Sequence, residues 1–223
     1  DTFSIGNEYW YNDRMSSSEY GKIANTMSKG LQQVFDTYRD ELPSPDAWSE
    51  PNIGVQTSLA HDAEGAQEIL AELDLDARAA IDTVETHYYP KDYEASESST
   101  KHFDRLDDFQ NAEGFGDLNY YISEWNLRLG DNADVGMEAA SSLIEMSQTM
   151  LENGVDSTSL WGTAYQSLQC RLSAMTPDES EEGGWAMNLT PSGEVVRMMS
   201  HTLIGTHALD LELPGQYTNN TRA

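Results

Sequence analysis

The sequence predicts an α/β chain of strand–helix units on a parallel sheet, of the (β/α)-barrel kind. Three observations carry this expectation. Strand-like and helix-like segments alternate five times, a pattern that implies parallel strands joined by right-handed crossovers. No Gly-rich phosphate loop follows any strand, which weakens the alternative, a doubly wound nucleotide-binding sheet. Four of the five predicted strands end on reactive or aromatic residues: Asn7-Glu8, His87-Tyr88-Tyr89, Glu124-Trp125-Asn126 and Trp161. A β/α barrel gathers its functional side chains at the C-terminal ends of its strands.

The first strand is Phe3-Ser4-Ile5, an apolar run that closes on Gly6-Asn7-Glu8-Tyr9-Trp10. Ser16 and Glu19 have capping-box spacing and open a helix. Its expected core face is Ile23, Met27, Leu31, Val34 and Tyr38, and Pro43 and Pro45 stop it. Residues 52–59 read as the second strand. Asp62 caps a helix with Ala66, Ile69, Leu70 and Leu73 on its apolar stripe. Residues 80–87 lead into a third strand ending at His87-Tyr88-Tyr89-Pro90. A polar loop with Ser96, Ser98 and Ser99 precedes a short helix carrying Phe103, Leu106 and Phe109. The fourth strand, Asn119 to Asn126, is followed by a helix from about Val135 to Asn153. There Ala140, Leu143, Ile144, Ser147, Met150 and Leu151 are expected to face inward, with Gly154 as the cap. Ser157 to Trp161 is the fifth strand, and Gln166 to Asn188 reads as a long turn-rich stretch. Thr190-Pro191-Ser192-Gly193-Glu194 opens the last helix, through Val195, Met198, Met199, Leu203 and Ile204. Residues 1–213 are thus expected to form one partial barrel, and residues 214–223 a polar tail.

Composition narrows the partners. Within 223 residues, 39 acidic against 12 basic residues give a net charge of −27, a field that disfavours nucleic acid and anionic membranes. A solvated, salt-adapted surface is the expected reading, since no stretch matches an EF-hand loop. No apolar run approaches the roughly 18 residues of a membrane span. Cys170 is alone, which leaves no internal disulfide and no cysteine-based zinc site. His61, His102, His201 and His207 show no ligand spacing, and the sequons at Asn188 and Asn219 are short accidental matches. Asp1 reads as a processing, cloning or proteolytic boundary, and the expected location is extracellular or periplasmic.

Glu8 and Glu124 carry the chemistry. A carboxylate where a buried strand runs out loses hydration unless something uses it. Two of them at one end of a parallel sheet form the acid/base and nucleophile pair that glycoside hydrolysis requires. Such close carboxyls do not both ionise easily, which leaves one proton for acid work. Asn7 is placed to bind a sugar hydroxyl, and Tyr89 or Tyr88 to hydrogen-bond Glu124. His87 contacts Glu8 or the sugar, Asn126 completes the binding set, and Trp10, Trp125 and Trp161 offer apolar platforms. The chemistry needs neither cofactor nor metal.

Gly6-Asn7-Glu8, His87-Tyr88-Tyr89 and Glu124-Trp125-Asn126 together resemble the retaining glycoside hydrolases of clan A. The family 51 arabinofuranosidases are most similar, and the family 39 xylosidases next. Met15-Ser16-Ser17 and Glu19-Tyr20 are similar to the entry of the fourth helix in family 51. The resemblance implies Glu124 as nucleophile and Glu8 as acid/base, with arabinofuranoside or xylan-like substrates. It also implies that this chain supplies strands four to eight and lacks one to three. The expected partner is therefore a segment carrying those strands, or a second copy, meeting open edges beside the inner faces of Phe3, Ile5 and Leu160. A non-catalytic carbohydrate-binding or interaction fragment is the rival expectation.

Overall fold

In a computed structural model of the chain, the described residues are 1–44, 48–90, 96–128, 136–162, 171–178 and 180–203. Five parallel strands form the sheet: β1 (Thr2–Ile5), β2 (Asn52–Gln56), β3 (Thr83–Tyr88), β4 (Asn119–Trp125) and β5 (Ser157–Leu160). Their spatial order is their chain order, β1-β2-β3-β4-β5. A doubly wound sheet reverses direction at a switch point, and this one never does. It is a curled half-barrel, with its helices on the outer side.

The connections are α1 (Ser17–Glu41), α2 (Ala63–Glu72) with α3 (Leu75–Ala80), α4 (Ser96–Gln110) and α5 (Met137–Glu152). After β5 come an antiparallel hairpin, β6 (Ser173–Pro177) and β7 (Trp185–Leu189), and then α6 (Pro191–Thr202). Side-chain caps fix the helix starts. Ser16 and Glu19 form the predicted capping box, and Asp62, Asp74 and Thr190 accept from Gly65, Ala77 and Gly193. Among the described residues, no helix is long and apolar enough to cross a membrane.

The core lies between sheet and helices. Ile5, Ile53, Val55, Val84 and Ile122 point outward against residues such as Tyr20, Ala24, Ile69, Phe103 and Leu143. Phe3 also turns outward, 5.5 Å from Phe35 of α1. The inner face is accordingly polar, not apolar as expected around Phe3, Ile5 and Leu160. Ser4, Gln56, Glu85, His87 and Tyr121 lie there by strand alternation. Glu85 fills the space that Gly54 leaves open and accepts a 2.6 Å hydrogen bond from Ser4 Oγ. Burial holds its carboxyl above the usual range.

Five local expectations are corrected. On α1 the core face is Tyr20, Gly21, Ala24, Ser28 and Phe35, while Ile23, Met27, Val34 and Tyr38 are 40–61% exposed. Small residues win that face because α2 comes close: a Cβ on Gly21 would sit 2.9 Å from Glu72 Cβ and 3.0 Å from Ile69 O. On α5, Ala140, Leu143 and Met150 are buried as expected, but Ile144 and Leu151 are exposed and Ala139, Ser142 and Met146 take their places. The turn-rich stretch contains the β6–β7 hairpin, and Ser96, Ser98 and Ser99, expected in a loop, belong to α4. The third strand starts later than expected because Asp74 caps the short α3 ahead of it. Val135, Cys170, Ile204, His207, Asn219 and the 214–223 tail lie outside the described residues.

Candidate active site

Glu8 stands where β1 leaves the sheet. The chain turns through Gly6 at φ +90°, where a Cβ would come 2.7 Å from Tyr20 Cε2, so only glycine fits over that ring. Glu8 itself takes φ 44°, a left-handed conformation costly for a residue with a side chain. Two bonds hold it there. Its N–H donates to Gln56 Oε1 at 2.7 Å, and its carbonyl accepts from Tyr11 N–H at 2.9 Å.

Tyr20 clamps the two strand ends beneath. Its hydroxyl donates to Ile5 O at 2.5 Å and accepts the Gln56 N–H at 2.7 Å. Tyr9 stacks on it with ring centroids 4.2 Å apart and planes at 3°. Burial raises both phenols, Tyr9 to about 12, so each keeps its proton and its donor role.

His87 is the hub. Its Nδ1 lies 3.0 Å from Glu8 Oε1 and 3.5 Å from Glu124 Oε2, and its Nε2 lies 3.0 Å from Gln56 Nε2. Its side chain is 6% exposed, against 35% for Glu8 and 19% for Glu124, so the carboxylates reach solvent over a buried ring. Tyr89 Oη donates to Glu124 Oε2 at 2.9 Å. Burial and the neighbouring Glu124 charge raise the Tyr89 phenol, which keeps it a donor. Trp10 and Tyr89 each stand edge-on to His87 at 6.2 Å.

Five sequence-predicted residues are thus brought together: Glu8, Glu124, His87, Tyr89 and Trp10. Asn7 is exposed on the turn beside Glu8, and Trp161 is 44% exposed just after β5. Trp125 and Asn126 go elsewhere. Trp125 is buried in the core on the helical side of the sheet, opposite Tyr88. Asn126 is fully buried; its amide donates to Trp161 O at 2.7 Å and accepts Leu127 N–H at 2.7 Å, tying β4's exit to β5's. Of the two tyrosines, Tyr89 reaches Glu124, and Tyr88 packs against His102 and Phe103 of α4.

Gln56 was missed by the sequence reading, although it ends β2 as Glu8, His87 and Glu124 end their strands. A second strand read over residues 52–59 puts its end past Gln56, which hides the residue, whereas the strand stops at Gln56. Glu8, His87 and Glu124 are also close enough to share a cation: one ligand atom from each lies within 4.8 Å of the others.

No family model matches the sequence, and no curated protein does. Among solved structures, the chain is similar to the GH51 arabinofuranosidase from Xanthomonas axonopodis pv. citri, at 17% identity and a TM-score of 0.50. The match covers 89% of this chain and 42% of that one, so the chain spans less than half the length of the protein it matches. At that identity the likeness is one of fold alone, a partial-barrel architecture.

Proposed function

We propose that the chain carries the catalytic carboxylates of a retaining glycosidase, with Glu124 as nucleophile and Glu8 as general acid/base. The observation that carries this reading is the carboxylate spacing. An oxygen of Glu8 and one of Glu124 lie within 4.8 Å of each other, both beside His87 Nδ1. Retaining enzymes hold their two carboxyls about 5–5.5 Å apart, and inverting ones about 6.5–9.5 Å to admit a water.

In the first step a Glu124 oxygen attacks the anomeric carbon as the glycosidic bond breaks, and Glu8 passes its proton to the leaving oxygen. In the second, Glu8 takes a proton from water, whose oxygen displaces Glu124 and releases the sugar. Tyr89 orients the Glu124 carboxylate. Trp10 borders the pair with an apolar edge, and Trp161 offers an exposed indole near the same rim. The motif resemblance favours arabinofuranoside or xylan-like glycosides, and Asn7 is available for a sugar hydroxyl.

A second reading has its own observation. The described sheet walls the site from one side only, which suits a carbohydrate-binding or interaction fragment that retains the pair without turnover. An activated aryl glycoside separates the two. The glycosidase reading expects a burst of phenol with covalent label on Glu124, lost in Glu124→Gln. Absence of turnover and of label across aryl arabinofuranosides, xylosides, glucosides and galactosides would leave the binding reading.

A further inference from the structure

The buried contact between Gln56 and His87 has a chemical direction that the positions of their heavy atoms determine. Gln56 Oε1 accepts the backbone N–H of Glu8 at 2.7 Å. A peptide N–H is a donor only and cannot reverse, so the atom facing it must be the amide oxygen. The amide nitrogen then faces His87 Nε2 at 3.0 Å with both hydrogens as donors. Turning the amide over would set two N–H donors against each other at 2.7 Å, in a site where Gln56 is 1% exposed and no water can intervene. His87 Nε2 must therefore present its lone pair.

We propose that Gln56 is a positioning residue that fixes His87 as the Nδ1–H tautomer, with that proton donated to the catalytic carboxylates. Nδ1 lies 3.0 Å from Glu8 Oε1, its hydrogen-bond partner, and 3.5 Å from Glu124 Oε2, which a small shift of the ring would bring into reach. The consequence is specific to the order of proton movements. His87 gives a hydrogen bond to whichever carboxylate carries the larger negative charge, Glu124 before attack and Glu8 after it has protonated the leaving group. With Nε2 locked against an amide donor, the ring does not take the proton that belongs on the leaving oxygen. The same buried amide holds Glu8 in its left-handed conformation, so one side chain sets the acid/base backbone and the ring beside it. The Nδ1 proton also occupies the lone pair that a cation would need, so the three side chains do not bind metal through His87.

This role rests on the glycosidase reading, but its first test needs no turnover. In the full chain with 15N-labelled histidine, two-bond couplings to the ring protons report which nitrogen carries hydrogen, with His87 assigned by the signals lost in His87→Phe. The expected wild-type result is a pyrrole-type Nδ1 and a pyridine-type Nε2, unmoved by added Zn2+. A protonated Nε2 paired with a bare Nδ1, or a His87 signal shifted by Zn2+, overturns the proposal. Gln56→Glu keeps an acceptor for the Glu8 N–H and replaces the NH2 by a second acceptor. Its expected result is a pyrrole-type Nε2, a fall in kcat of on the order of tenfold or more, and a displaced pH profile with KM little changed. An unchanged tautomer in that variant also overturns the proposal. Should the wild-type ring show Nδ1–H while no glycoside is turned over, the glycosidase reading fails and the tautomer assignment stands.

Discussion

His87 and Glu124 stand opposite each other across β3 and β4 only because the ladder slips by one residue, from Thr86 opposite Ile122 to His87 opposite Glu124. Ser123 is the extra residue. An unslipped ladder would set Ser123 beside His87 and turn Glu124 to the helical side, opposite Tyr88. Parallel strands rarely accept a bulge, and this one aims a carboxylate into the site. The bulge leaves Glu124 with one side-chain hydrogen bond that a variant can remove cleanly, that from Tyr89 Oη at 2.9 Å.

Tyr89→Phe should therefore lower kcat on an aryl glycoside by roughly 10- to 100-fold, since a hydrogen bond to a charged group is worth about 1.5–3 kcal/mol. The half-buried ring keeps its packing, so the melting temperature should barely move. Steady-state kinetics beside a thermal melt would show this. A fall in stability without a fall in kcat would assign Tyr89 to the scaffold instead of the site.

The surface charge gives an independent prediction. With 39 acidic and 12 basic residues, most carboxylates have no cation to pair with. Ion pairs such as Lys29–Asp74 and the Arg39 cluster with Asp36 and Glu50 are exposed and each contributes little. Repulsion should dominate, and screening should relieve it as the Debye length shrinks from about 30 Å at 0.01 M salt to about 3 Å at 1 M. The melting temperature should rise by several degrees across that range. A flat or falling curve would refute the salt-adapted reading.

The site was more legible than the frame around it, for a physical reason. A parallel sheet delivers every strand's C-terminal end to one rim, so topology brings Glu8, His87 and Tyr89 together, while Glu124 joins them only through the slip at Ser123. Their sequence neighbours are misleading because adjacent strand residues face opposite sides. Trp125 follows Glu124 in the chain and lies in the core. The slip at Ser123 is invisible to a period-two reading, which puts Glu124 on the outward face of Ile122. Gln56 was overlooked because an amide signals nothing until its two partners are known. The α1 error has a different origin. Helical periodicity locates a bulky stripe, but Gly21 and Ala24 face the core because close approach to α2 favours small side chains there.

The partly buried ring of His102 sets a pH limit on the fold. Its ring packs at 5.2 Å against Tyr88, and loss of hydration lowers its pKa from 6.5 to about 4. Between those values the unfolded chain binds a proton that the folded chain refuses. Stability should therefore fall as pH drops through that window, by on the order of 3 kcal/mol at its lower end. Glu85 works in the opposite sense, because burial raises its carboxyl pKa and acid favours its folded form. Urea melts at pH 7 and pH 5 should show a steeper loss for the wild type than for His102→Leu. Equal slopes in the two proteins would remove His102 from the account.

The last prediction concerns association. In the order β1-β2-β3-β4-β5, the free sides of β1 and β5 pair with no strand among the described residues, and each presents unsatisfied backbone donors and acceptors. Beside the β1 edge, α1 exposes Ile23, Met27, Val34 and Tyr38 at 40%, 46%, 61% and 51%, and Phe3 is 50% exposed on β1 itself. Spacings of four, seven and four residues put the four helical side chains on one stripe. An unpaired parallel edge next to an apolar helix stripe has the shape of a seat for another strand–helix unit, the strand extending β1 and its helix lying on α1. We expect the 223-residue chain to bind a segment carrying such units or, without one, to associate with itself. Each large side chain covered should contribute about 1.5–3 kcal/mol. Replacing Val34 and Tyr38 together by Lys should therefore weaken association at least tenfold while leaving the helical circular dichroism intact. Native mass spectrometry decides the matter: a monodisperse, cooperatively folded 24.8 kDa monomer would show that the edge and stripe need no partner.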